Sequence, residues 1–217
     1  MKKTNGSKLA ILEAALYLFH LNGFHGTSIR DIAKKANVNS ATISYYFKNK
    51  NGLLEHCFIS YLEEYTEILE KSIQYLDEMD AKDCLNDILT NIFAFHSKNF
   101  IAARFIHREM SLDTNLNREI LSTYLMKEKY LFTMVLEQGF EQKSFKKVSI
   151  QAFILQLKGL VLAPVIHAHY AMEVLHMFPQ EKYFMEKYLK QVQDFIADYL
   201  WMQSKVEKKT NEVLFTA

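Results

Sequence analysis

Between Thr27 and Phe47 the chain gathers side chains that can hydrogen-bond to a polyanion. Ser40, Thr42, Ser44, Tyr45 and Tyr46 follow one another closely, with Thr27, Ser28 and Asn39 ahead of them and Lys48 and Lys50 behind. Short hydroxyl side chains allow close approach to a duplex groove, and hydroxyl, amide and phenol groups bond phosphate oxygens or base edges. Thr27 and Lys50 are expected on phosphate, and Ser40, Thr42, Tyr45 and Tyr46 at the groove. Phe105 to Glu109 reads FIHRE, and just ahead of it stands Arg104. Arg104 and Arg108 lie four residues apart, so on a helix they share a face that could grip a carboxylate or phosphate. Together with Glu109, Arg118 and Glu119 they form either a partner or effector surface or a set of ion pairs.

Catalytic constellations are not found. No Gly-rich phosphate loop follows a strand pattern, and neither a G-x-S-x-G elbow nor an HExxH occurs. His167 and His169 are two apart, which on a helix turns them about 200° from one another and unsuits them to one metal. No catalytic residue, cofactor or metal is therefore expected. Cys57 and Cys84 have neither a disulfide framework nor ligand spacing, which fits a reducing compartment.

The elements that must position these groups are helices. Only two prolines and six glycines interrupt a chain that is 49% hydrophobic, which favours long helices over turn-dense sheet. Ser7 is a candidate N-cap for a first helix with Leu9, Ile11, Leu12, Ala15, Leu16, Leu18 and Phe19 at helical spacing, ended by Asn22-Gly23. Thr27 or Ser28 caps a second helix, whose Ile29, Ile32, Ala33 and Ala36 make one stripe. After Asn37, a third short helix from about Ala41 to Tyr46 points Ile43 and Phe47 to the core. A long helix is expected over 53–77 and others over 80–96, 100–109 and 115–140, the last ended by Gly139. Pro164 should kink or break the apolar segment 149–171. The last helix, over about 181–202, carries a stripe wide enough to pair with a second copy. Phe93, Phe95, Phe100, Phe105, Phe132, Met134, Phe153 and Leu157 are candidate pocket or core residues.

Charge divides the chain. Residues 1–55 hold eight Lys and Arg against three Asp and Glu, a balance of +5, so with a net charge of +1 the remainder carries −4. A basic head on an acidic body suits a protein that meets nucleic acid with one end. The basic, apolar N-terminus is interrupted by Glu13, against a signal peptide, and no run approaches the roughly 18 apolar residues of a membrane span. A cytoplasmic, nucleoid-associated protein is the expectation.

The run GFHGTSIRDIA from Gly23 to Ala33, and VNSATISYYFKNKNGLL from Val38 to Leu54, resemble the N-terminal signature of the TetR/AcrR family. Where that family most often has a tyrosine, two residues after the recognition-helix threonine, this chain has Ser44. The resemblance implies an all-α fold, with a three-helix helix-turn-helix domain at 1–50 and a helical regulatory and dimerisation domain at 51–205. Residues 206–217 would be a flexible tail. It implies a homodimer on palindromic double-stranded DNA, with Thr27, Ser28, Asn39, Ser40, Thr42, Ser44, Tyr45, Tyr46, Lys48 and Lys50 as contact residues. ISYYFKNKNGLLEH with FIHRE is similar to a branch of that family in spore-forming bacteria that acts on the tubulin-like division protein FtsZ. That likeness implies FtsZ as a partner of the body. The alternative is a ligand-responsive repressor with a small-molecule effector pocket.

Overall fold

The structure, a computed structural model, describes residues 2–112 and 114–202. The expected tail at 206–217 lies outside them. Among the described residues the regular elements are helices: α1 Lys2–Asn22, α2 Ile29–Lys35, α3 Ser40–Phe47, α4 Lys50–Ile73, α5 Ala81–Lys98, α6 Phe100–Met110, α7 Asn115–Glu141, α8 Ile150–Ile166, α9 Ala168–Glu173 and α10 Lys182–Leu200. One isolated bridge joins Phe145 to Trp201.

Local chemistry explains most boundaries. Gly23, at φ 73°, ends α1 in the left-handed conformation that a glycine adopts without penalty. Phe24 then folds back, its ring 5.4 Å from that of Phe19. Asn49 and Asp80 cap α4 and α5, their side chains accepting from the N–H groups of Gly52 and Lys82. Two expectations need correction. Ser7 is no cap, because α1 already starts at Lys2. Gly139 does not end α7 but lies inside it, where the Phe145 ring packs so closely that a Cβ would overlap it. The segment 149–171 does divide, at His167, into α8 and α9, with Pro164 in the last turn of α8. A proline there leaves the Leu160 carbonyl without its helical donor, and the Tyr188 hydroxyl of α10 donates to that oxygen at 3.0 Å.

Two apolar cores result. One is built from α1, α2, α3 and the start of α4, and it continues into α6 through Phe105 and Ile106. Phe19 and Phe105 stack at 5.4 Å across that junction. The other fills the body between the far half of α4 and α5, α7, α8 and α10. The boundary expected at residue 50 thus falls on the first residue of α4, a continuous helix that contributes to both cores. No helix among the described residues is long and apolar enough to cross a membrane.

Candidate nucleic-acid interface

The reader is assembled by capping. Ser28 opens α2 with a reciprocal box: its hydroxyl accepts from the Asp31 N–H, and the Asp31 carboxylate accepts from the Ser28 N–H and hydroxyl. Those bonds hold the Asp31 carboxyl below the usual carboxylate range. Asn37, at φ 53°, turns the chain out of α2, and Asn39 caps α3 by accepting from the Ala41 N–H. The side chains of Ser28 and Asn39 therefore orient the two helices.

Ile43 and Phe47 are buried and fix which way α3 faces. Ser44 and Tyr45 are then exposed, and Ser40 and Thr42 half-exposed. Tyr45 is 82% exposed, whereas Tyr46 packs against the reader's core with its ring 6.1 Å from that of Phe47. Of the two adjacent tyrosines, Tyr45 is the one on the outer face. The outer face of α3 thus carries Thr42, Ser44 and Tyr45, with Ser40 at its edge.

Lys48 closes the helix in an unusual way. Its φ is 64° and ψ −59°, and the Asn49 N–H donates to the Phe47 carbonyl at 2.7 Å. That is a γ-turn with a non-glycine residue at its centre, a conformation stored at a cost of about 1–3 kcal/mol. The side chain is exposed at the end of α3. Replacing Lys48 by Gly should raise the stability of the protein, by about 1 kcal/mol in urea denaturation, while weakening DNA binding severalfold. A variant both less stable and unimpaired on DNA would show that the turn serves neither end.

Thr27 is corrected. It is buried, and its hydroxyl lies 3.1 Å from the Leu18 carbonyl and 2.9 Å from that of Gly23. Its side chain thus holds the α1–α2 turn and does not face a phosphate. Lys50 is divided between two roles. Its ammonium donates to the carbonyls of Phe24 and Thr27 at 2.9 and 3.0 Å and stands over the Phe24 ring. Of its three donors one remains for solvent or phosphate.

The arginine cluster separates. Arg108 reaches the C-terminal end of α1, its guanidinium donating to the Phe19 carbonyl at 3.3 Å and lying over the Phe105 ring. A helix C-terminus carries unpaired carbonyls and partial negative charge, which a guanidinium satisfies. Glu109 lies 3.4 Å from the same guanidinium. Arg104 is half-buried, and burial pushes the imidazole of His20 on α1 below its ordinary pKa, with further lowering from Arg104 and Arg108. These groups belong to the joint between reader and body. Arg118 and Glu119 are exposed near the start of α7.

Of the eight candidate pocket residues, Phe132 and Leu157 line the body's internal cavity. Phe93, Phe95, Phe105 and Phe153 are packed in the cores, and Phe100 and Met134 lie against them. The sequence reading passed over the polar side of that cavity, where Tyr61, Tyr65, His96, His107, Glu128 and Lys158 meet. Lys158, within the most apolar long segment of the chain, is the signal that pointed there. His167 and His169 are exposed.

Residues 11–57 match the family "Bacterial regulatory proteins, tetR family". Over 210 residues the chain is 39% identical to the probable HTH-type transcriptional regulator YttP of Bacillus subtilis (strain 168), covering 97% of this chain and 98% of that protein. The fold is similar to the crystal structure of the TetR family transcriptional regulator PfmR from Thermus thermophilus. Their TM-score is 0.71 at 18% identity, over 87% of this chain and 97% of the other.

Proposed function

We propose, from the premise that the chain belongs to the TetR family of DNA-binding transcriptional regulators, that it reads a palindromic DNA site as a homodimer and acts there on cell division through FtsZ, as a RefZ-like regulator. The observation that carries the DNA reading is the outer face of α3, where Thr42, Ser44 and Tyr45 are presented clear of the core that Ile43 and Phe47 anchor. Lys48 beside them supplies a phosphate contact. Each copy places one α3 in a major groove, with half-sites about one turn, roughly 34–36 Å, apart.

Dimer formation is supported by apolar side chains left outside on the last long helices, Leu155 and Ile166 on α8 and Phe195 and Tyr199 on α10. In one chain these have no core to join, and a two-fold copy of the same helices covers them. The division reading is supported by the likeness of ISYYFKNKNGLLEH and FIHRE to that branch of the family. It is also supported by the charges of Arg118 and Glu119 on the surface of the body. Chromatin capture of the protein, with purified FtsZ polymerisation measured beside it, tests both parts. A few sites clustered by chromosomal position, with polymerisation changed by the DNA-bound dimer, is the expected result. Sites confined to promoters, with FtsZ unaffected, would replace it by a ligand-released repressor.

A further inference from the structure

Between α8 and α10 the chain exposes apolar side chains that its own packing leaves out. Ile166, Tyr170, Val174, Leu175, Met177 and Phe178 are 37–56% open to solvent, and none of them joins either apolar core. A lone chain seldom leaves such a patch bare. The stretch is nonetheless held in place, since Ala168 and Ala171 are buried and the Met177 N–H donates to the Ala171 carbonyl at 2.8 Å. Its charge narrows what could cover it. Residues 166–180 contain no Lys or Arg and one carboxylate, Glu173, so neither nucleic acid nor an anionic lipid surface finds cations there. The cover must itself be apolar and nearly uncharged.

A two-fold copy of the chain supplies such a surface, and the fold says which part of it. For two readers to reach one duplex, the axis relating them runs from the readers to the bodies. Rotation about an axis leaves height along it unchanged. The start of α8 stands at the far end of the body, where the Phe153 ring stacks on that of Tyr199 at 6.3 Å. There too the Met202 N–H donates to the Ser144 carbonyl, and the Ser144 hydroxyl donates to the Asp80 that caps α5. Near the other end of α8, Val165 joins the core that Phe19 and Phe105 share with the reader. α9 therefore lies at the reader end. What it meets on the second copy is the same segment, whereas Leu155, Phe195 and Tyr199 meet their counterparts at the far end.

Area points the same way. A large side chain about half exposed leaves roughly 100 Å² open, so Leu155, Ile166, Phe195 and Tyr199 together offer roughly 400 Å². An obligate homodimer buries about 1,000 Å² or more a side, about two-thirds of it apolar. Those four fall short. Tyr170, Val174, Leu175, Met177 and Phe178 bring the total to roughly 900 Å². We infer that residues 167–178, α9 and the turn after it, form an arm that packs against the same arm of a second copy, at the reader end of the dimer. Such pairing rests on the homodimer reading above, yet it is a contact separate from the α8 and α10 faces.

Full-length protein carrying Val174→Cys, treated with a short bis-maleimide, should link one copy to the other in most dimers, equally at low and high protein concentration. Cys57 and Cys84 are buried and stay silent. Co-expressed Val174→Cys and Phe195→Cys chains should give no mixed link by mass spectrometry of the linked peptides, because the two positions stand at opposite ends. Replacing Val174 and Phe178 together by Lys should weaken self-association about tenfold or more in sedimentation equilibrium, with circular dichroism melts establishing that the variant is folded. Sedimentation of the parent protein separates the two readings. A monomer at micromolar concentration removes the dimer, and the arm pairing with it. A dimer in which Val174→Cys fails to link, links only at high concentration or links instead to Phe195→Cys, or one that survives both lysines in folded protein, would keep the dimer and overturn the arm.

Discussion

Replacing Thr42 and Tyr45 together by alanine is expected to lower affinity for the specific DNA site by about 100-fold, while leaving affinity for scrambled DNA and the slope of binding against salt nearly unchanged. The reason lies in what each group does in the free protein. Tyr45 is 82% exposed, and its ring contact is with its neighbour Tyr46 at 5.2 Å. Removing it therefore costs the fold little. On DNA, each good contact to a base edge is worth about 1–3 kcal/mol of discrimination. Two such losses give roughly 2–6 kcal/mol, and every 1.4 kcal/mol is a factor of ten, so a 100-fold loss lies toward the low end of that range. The salt-dependent part of binding comes from cations that neutralise phosphates, and the variant removes none of them. Tyr46→Ala is the control, because Tyr46 packs against the reader's core and its loss should lower the melting temperature. Fluorescence anisotropy at two salt concentrations reads all of this. A matching loss on scrambled DNA, or a steeper loss from Tyr46→Ala in folded protein, would place the groove face elsewhere on α3.

How much of this was legible in the sequence depends on how far apart the partners lie. The Ser28–Asp31 box spans three residues, and the inward pair Ile43 and Phe47 lies one turn apart, so the helix-turn-helix could be read directly from spacing. Adjacent tyrosines differ by only about 100° around a helix. The choice between Tyr45 and Tyr46 needed the core that α1 and α4 build around Phe47. Thr27 looked like a phosphate donor because its acceptors, the carbonyls of Leu18 and Gly23, come within reach only after the chain has turned at Gly23. Gly139 read as a helix stop, but its role is to admit the ring of Phe145, a residue that folds back from the following loop. Arg104 and Arg108 share a face as their spacing requires, yet what that face meets is the end of α1, which no local pattern reveals. The Lys158–Glu128 pair joins positions thirty residues apart on two helices, and only the packing register brings them together.

The two buried histidines in the same cavity give the second large expectation, a loss of stability in mild acid that the charge of the chain alone does not require. His96 and His107 are held at about 3 and 4, by burial foremost, whereas in the unfolded chain each takes up a proton near pH 6.5. Because the folded values are lowered, the unfolded state binds more protons as soon as pH falls below about 6.5, and stability then declines with pH. The contribution is complete above that pH and is lost progressively down to the folded values near 4 and 3. While both groups differ between the states, the slope is about 2.7 kcal/mol per pH unit, twice the 1.36 kcal/mol that one proton gives. Two units of acidification would remove much of a stability of about 5–15 kcal/mol. His20, lowered by burial and by Arg104 and Arg108, adds to the loss in the same direction. Urea denaturation at pH 7, 5.5 and 4.5 measures the slope. In a variant carrying His96→Phe and His107→Leu it should flatten, since neither replacement titrates and the reader retains its own core. A variant with the slope of the parent would assign the acid sensitivity to carboxylates, and would mean that the two rings find a proton acceptor inside the folded body.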